Sequence, residues 1–148
     1  MANVYKSLTD FIPYLTDIEF GTWEPKVQSG DGSLEKPLQM PYMVFDEVVK
    51  NFIREVYRFE ENHPEYGLHQ YGEILKQNGL DWEMDSMAKA EASQLDCKCS
   101  MALILGAIRA DRFSEGALKA FYDRGCILKW LNRLKELGIN LIRFKFLN

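Results

Sequence analysis

The residues best able to do chemistry crowd into one stretch of the 148-residue chain, IRADRFSEGALKAFYDRGCILKWLNRL, from Ile108 to Leu134. Arg109, Asp111, Arg112 and Glu115 fall within its first eight residues. At helical spacing Arg109 and Arg112 lie on one side, and Asp111 and Glu115 are four apart. A guanidinium is a planar fork of N–H donors that suits the paired oxygens of a phosphate or carboxylate. Phe113 and Ser114 mark a break between two helices. With Ser114 as its cap, the second helix presents free N–H groups to an anion. The candidate ligand-binding set is therefore Arg109, Arg112, Ser114 and Glu115, joined by Arg133 from the last helix.

Two other readings use the same residues. In one, the arginines pair with carboxylates of the acidic N-terminal part and stitch the fold together, while Asp111 and Glu115 favour the dipole of the following helix. In the other, the carboxylates act as general acid and base. No catalytic residue is assigned on either. Cys97, Cys99, His63 and His69 lack the paired ligand spacing of a structural zinc site, so neither a metal nor a cofactor is expected. Cys126 follows Gly125 at a helix start, where a thiolate is favoured, but a small buried cysteine is the better reading. Phosphate-binding loops, dinucleotide glycine triplets, nucleophile elbows and His-Glu-x-x-His motifs are absent from the sequence.

Composition bounds the class. A chain of 148 residues with 47% hydrophobic and 27% charged residues reads as one globular domain over 1–148, able to bury a core without staples. The longest apolar run, Met101 to Ile108, is too short to cross a bilayer, and the N-terminus lacks a leader-like apolar segment. Three cysteines, an odd number, read as reduced thiols in a cytoplasmic protein. Charge is uneven. Residues 1–97 hold 8 basic and 18 acidic side chains, a balance of −10; residues 98–148 hold 10 and 4, a balance of +6. Mutual neutralisation of the two parts explains this more simply than a basic surface for an anionic partner, because no two Lys or Arg are adjacent.

The elements that must position the cluster follow from periodicity. A first helix is expected over 4–19, with Pro13 either kinking it or opening a shorter one. Residues 20–44, rich in Gly and Pro with aromatics on both flanks, predict an irregular hairpin. Asp46 caps a helix whose apolar stripe runs through Val49, Phe52, Val56 and Tyr57. A further helix is expected from Pro64 to a stop at Gly79, burying Leu68, Tyr71, Ile74 and Leu75. Met101 to Ile108, apolar on all sides, predicts a central buried helix. Ser114 then caps a short helix ending at Gly125, and a final helix stops at Gly138. The tail from Ile139 alternates, which predicts a C-terminal strand pairing near Trp23. Trp23, Tyr42, Phe45, Trp82 and Trp130 read as core, with a pocket lining as the alternative. The expected fold is α+β and mostly α-helical, with five to six helices, a small hairpin or sheet near the N-terminus and the C-terminal strand.

The stretch RADRFSEGALKAFYDRGCILKWLNRL resembles the hallmark of an uncharacterised bacterial family, a domain of unknown function. The resemblance lies in an Arg-x-x-Arg-Phe-x-x-Gly element, here Arg109, Arg112, Phe113 and Gly116, followed by Gly125, Leu131, Arg133 and Leu134. Trp23, Pro41, Tyr42 and Phe45 fit the family's upstream segments, and the likeness spans about Phe11 to Leu137, departing at Ala110 and Ser114. The resemblance implies no activity.

Three function classes fit, in this order. The first is a small cytoplasmic accessory or interaction domain without catalysis, with a protein partner or a second copy of itself. The second is an anion or nucleic-acid binder using Arg109, Arg112 and the basic C-terminal part. The third is a small enzyme using the same cluster. A membrane partner is not expected.

Overall fold

The computed structural model describes residues 3–25 and 30–147, with side chains described to residue 140. The chain opens with two single-turn helices, α1 (Lys6–Thr9) and α2 (Ile12–Leu15). Pro13 sits in the first turn of α2, where its missing N–H costs little, so the helix expected over 4–19 divides there. Strands β1 (Gly21–Glu24) and β2 (Tyr42–Phe45) pair antiparallel, with Trp23 opposite Met43 and Gly21 opposite Phe45. This is the hairpin that the aromatic flanks predict; residues 26–29 of its connection lie outside the described residues.

Helix α3 (Glu47–Asn62) begins where expected, with the Asp46 carboxylate accepting from Val48 N at 3.0 Å. Its stripe of Val49, Phe52, Val56 and Phe59 is buried. The next element departs from expectation. Residues Pro64–Tyr66 and Leu68–Gln70 are 3-10 turns, and helix α4 (Tyr71–Gln77) starts only after them. Gly67, between the turns at φ +61°, takes a left-handed backbone that no helix can continue through. Gly79, at φ +74°, lies just past the end of α4, as expected.

Helix α5 (Met84–Ala88) and a 3-10 turn at Ala92–Gln94 lead to the central helix α6 (Cys97–Phe113). Asp96 caps α6 by accepting from Cys99 N at 2.7 Å. Every residue of α6 from Cys99 to Ile108 is buried, and α3, α4, α7 and α8 pack around it. Helices α7 (Ala117–Asp123) and α8 (Cys126–Leu147) complete the chain. Trp130, Leu131 and Leu134 of α8 join the same hydrophobic cluster as α6.

Two expectations for the C-terminus are corrected. Gly138 does not stop the last helix, and the tail is helical to Leu147 rather than a strand. Gly138 keeps a helical backbone and serves as a close-approach position. A Cβ there would come within 2.5 Å of the Asn3 side chain. Extending an existing helix needs one hydrogen bond per added residue, whereas a strand needs a free edge to pair with. A six-residue alternation cannot override that. The facing of the tail's side chains lies outside the described residues.

Burial around α6 makes a direct prediction. Leu103→Ala, at a fully buried position, should cost about 2–5 kcal/mol. Leu34→Ala, at a fully exposed position, should leave the melting temperature within a degree or so. Equal losses at the two sites would contradict this core.

Candidate functional site

The turn between α6 and α7 is built by side chains reaching across it. Asp111 Oδ1 accepts from Gly116 N at 3.0 Å and from Leu118 N at 3.1 Å. The cap of α7 is therefore Asp111, on the preceding helix, and not Ser114. Ser114 instead closes α6, its N–H donating to the Ala110 carbonyl at 2.9 Å. At the start of α7 the Gly116 and Leu118 N–H groups are thus met by the chain's own carboxylate, and the Ala117 N–H by the Ser114 carbonyl at 3.0 Å. Glu115 is also committed, with Oε1 accepting from Met43 N on β2 at 2.8 Å. Gly116 has φ +93°, and a Cβ on it would lie 2.5 Å from the Trp23 ring. Hairpin and turn are locked together by that contact.

The arginines do not form the expected seam. Among the described residues neither Arg109 nor Arg112 makes an ion pair with a carboxylate. The Arg112 guanidinium lies over the Tyr57 ring, 5.8 Å from its centroid. The Tyr57 hydroxyl, and next the Tyr71 hydroxyl, face Arg109 closely enough to favour its charged form and raise its pKa. The approach nonetheless falls short of hydrogen-bond geometry at two atoms. Arg109 Nε and the Tyr57 hydroxyl are both buried without a partner. Only one other described side-chain atom, Trp130 Nε1, shares that condition. Two of three such atoms therefore belong to one spot between α3 and α6.

Arg133 is not part of this group. Its Nε donates to the Leu95 carbonyl at 2.9 Å, one Nη to the Ser93 carbonyl at 3.2 Å, and the other pairs with Glu136 at 3.2 Å. It pins the loop before α6, which lies about 20 Å along the helix from Arg109 at 1.5 Å per residue. The structure thus brings Arg109 and Arg112 together and places Ser114 and Glu115 in the adjoining turn. It adds Tyr57 and Tyr71, which the sequence presents only as members of two apolar stripes. Their hydroxyls are the signal, since a stripe needs no polar tip.

Aromatic side chains continue from this cluster across the surface. Tyr71 meets Trp82 edge-on at 5.3 Å, and Trp82 meets Phe113 edge-on at 5.6 Å. Phe113 is 77% exposed and Trp82 40%. Together with Met84, Met87 and Phe121 they line a pocket of about 270 Å³. A second recess, beside Trp23 and Gly116, adjoins it through Met84, Ser114 and Ala117. Of the aromatics singled out in the sequence, Trp130 is core while Trp23 and Trp82 line these recesses.

The thiols lie elsewhere. Burial pushes the Cys99 thiol up to about 11 and raises Cys97 and Cys126 as well, the opposite of what a nucleophile needs. The hydroxyls of Tyr5 and Tyr66 pair near Cys97. His63 lies against Phe59 with the two rings tilted, and meets Glu65 at 3.1 Å. Among the described residues, no group of three or more His, Cys, Asp or Glu side chains could hold a metal ion, and no helix is long and apolar enough to cross a membrane.

Two outcomes are expected. Gly116→Ala should destabilise by several kcal/mol, since it combines a left-handed backbone with a clash against Trp23. A melting temperature unchanged from wild type would contradict the lock. Burial raises the Cys99 thiol from its ordinary value of 9.0 to about 11. A raised folded value stabilises fully below the unfolded one, and that contribution is lost as pH rises between them. Native Cys99 should therefore resist alkylation at pH 8, and chemical denaturation should show stability falling from pH 9 to 11. Rapid labelling of Cys99 in the native state would contradict its burial.

No curated protein and no solved structure matches the chain. A family model matches residues 1–139, nearly the whole of the chain and all of the turn, cluster and pockets described above. The chain belongs to that family, a family of unknown function designated DUF6508.

Proposed function

We propose that the chain is a non-catalytic binding domain that takes up a small oxyanion between Arg109 and Arg112, with the Tyr57 and Tyr71 hydroxyls as further donors. One observation carries this reading: two guanidinium groups and two hydroxyls come together with no carboxylate among the described residues paired to them, and Arg109 Nε and the Tyr57 hydroxyl are buried and unpartnered. Leaving such a group unpaired costs about 1–3 kcal/mol, so a fold that keeps two at one spot has a use for them. A tyrosine oxygen turned toward a guanidinium leaves its own proton free for an incoming acceptor. An oxyanion supplies the negative charge and the further acceptors that the two arginines do not find among the described residues.

The surroundings support binding over proton transfer. Asp111 and Glu115, the carboxylates a catalytic reading requires, are spent on backbone N–H groups. They also support a small anion over a nucleic acid. Lys119 and Arg124 pair with Asp123 and Asp85, and Lys129 and Arg133 hold backbone carbonyls. These four basic side chains are thereby committed within the chain and are not free to form a track for phosphates. The three free thiols fit a reducing cytoplasm, and the single hydrophobic cluster fits one domain. Exposed Phe113 and Trp82 favour a second reading, an interaction face for a protein partner or a second copy of the chain. A dimer in sedimentation that dissociates in Phe113→Ser would support it.

The test is thermal melting in phosphate and sulfate at low ionic strength. An anion at a hundred times its dissociation constant adds about 2.7 kcal/mol, or roughly 5–10 °C here. Arg112→Gln, at an exposed position, should keep the melting temperature of the free protein and lose the anion-dependent gain. Tyr57→Phe should raise the free protein's melting temperature, by removing an unpaired hydroxyl, and shrink the gain. A wild-type protein indifferent to both anions, or a Tyr57→Phe protein that melts lower, would contradict the proposal.

A further inference from the structure

We infer that the oxyanion is one end of an amphipathic small molecule, and that its other end is an aromatic ring seated in the pocket beside Phe113. The inference rests on the oxyanion reading above and extends it to the class of ligand.

Contiguity carries the argument. Arg109 and Phe113 stand one turn apart on α6, at a spacing that puts them on the same face about 6 Å from each other along the axis. Arg109 faces Tyr71, Tyr71 meets Trp82, and Trp82 meets Phe113, so the donors and the pocket share an unbroken aromatic border. A molecule held by its oxyanion at the arginines reaches the pocket with a spacer of only a few atoms.

The pocket suits a ring. About 270 Å³ is small for a drug-sized ligand and ample for one ring. Met84 and Met87 line it, and thioethers make favourable contacts with ring edges. Trp82 is fixed in place, because its Nε1 donates to the Gly106 carbonyl at 2.9 Å. A Cβ on Gly106 would lie 3.2 Å from the Met87 methyl and 3.4 Å from the same indole, so both side chains pack closely against α6 at this position. Glu83 on the lining repels a second anionic group, which directs the charged end to the arginines and the apolar end inward. Phe113 and Trp82 stay exposed in the free protein, and a bound ring would cover both.

Calorimetric titration with inorganic phosphate, phenyl phosphate and phenol, on wild type and Phe113→Ser, tests this. Phe113 is largely exposed, so its replacement leaves the fold intact. Wild type should bind phenyl phosphate roughly tenfold or more tighter than phosphate, from burial of the ring. Phe113→Ser should bind phosphate as wild type does and lose most of the preference for phenyl phosphate. Equal wild-type affinities for the two phosphates would overturn the aromatic inference and leave the oxyanion site standing. The same holds for a preference undiminished in Phe113→Ser. Phenol bound as tightly as phenyl phosphate would show that the phosphate adds nothing, and would overturn the joint site and the oxyanion reading beneath it. Absence of binding by either phosphate would overturn both readings at once.

Discussion

Helix α6 is buried on every side from Cys99 to Ile108, and the rest of the structure answers to that constraint. A helix without a polar face must be wrapped, and α3, α4, α7 and α8 supply the wrapping. It must also surface. Arg109 is the first charged residue after the buried run, and from there to Gly116 almost every side chain has a definable task. Asp111 reaches forward to cap α7, Glu115 reaches sideways to β2, and Gly116 receives the Trp23 ring. The chain can then turn back into the core, where Leu118 and Phe121 are buried again.

The two arginines stand apart from this economy. A structural seam between helices would show them paired with carboxylates, and the chain has 22 acidic residues from which to draw. Lys119, Arg124, Lys129 and Arg133 find acidic or carbonyl partners. Arg109 and Arg112 meet tyrosines instead, one by hydroxyls and one by a ring face. Tyrosines tolerate a cation without neutralising it, so the cluster keeps its positive charge and its donors. The same aromatic border leads to the recess under Phe113, which ties the charged spot and the apolar one into a single surface.

Much of this was legible in the sequence. The all-apolar run of α6, the Asp46 cap and the hairpin flanks each depend on local pattern, and each is where that pattern puts it. The failures come from contacts and backbone conformations that residue type alone does not reveal. Gly138 resembles a helix stop until Asn3 is seen packed against it. Ser114 has the chemistry of a cap, but Asp111 gets there first from the helix before. Gly67 breaks its helix through a left-handed turn that Gly72, a few residues on, does not adopt. At the candidate site, Arg109 and Arg112 were evident from type and spacing. Tyr57 and Tyr71 were evident only as apolar positions, because a hydroxyl's neighbour belongs to tertiary structure. Arg133 was grouped with them by charge alone, and the length of α6 separates it.

An oxyanion would supply the negative charge that the Arg109, Arg112, Tyr57 and Tyr71 cluster lacks. Diffraction from crystals grown in selenate, measured at the selenium edge, examines that spot directly. The account predicts an anomalous peak within hydrogen-bonding distance of both the Arg109 and the Arg112 guanidinium groups, on the side of the Tyr57 hydroxyl. Selenate bound at other places with none at this cluster, or a carboxylate of the chain itself seated on Arg109, would contradict it.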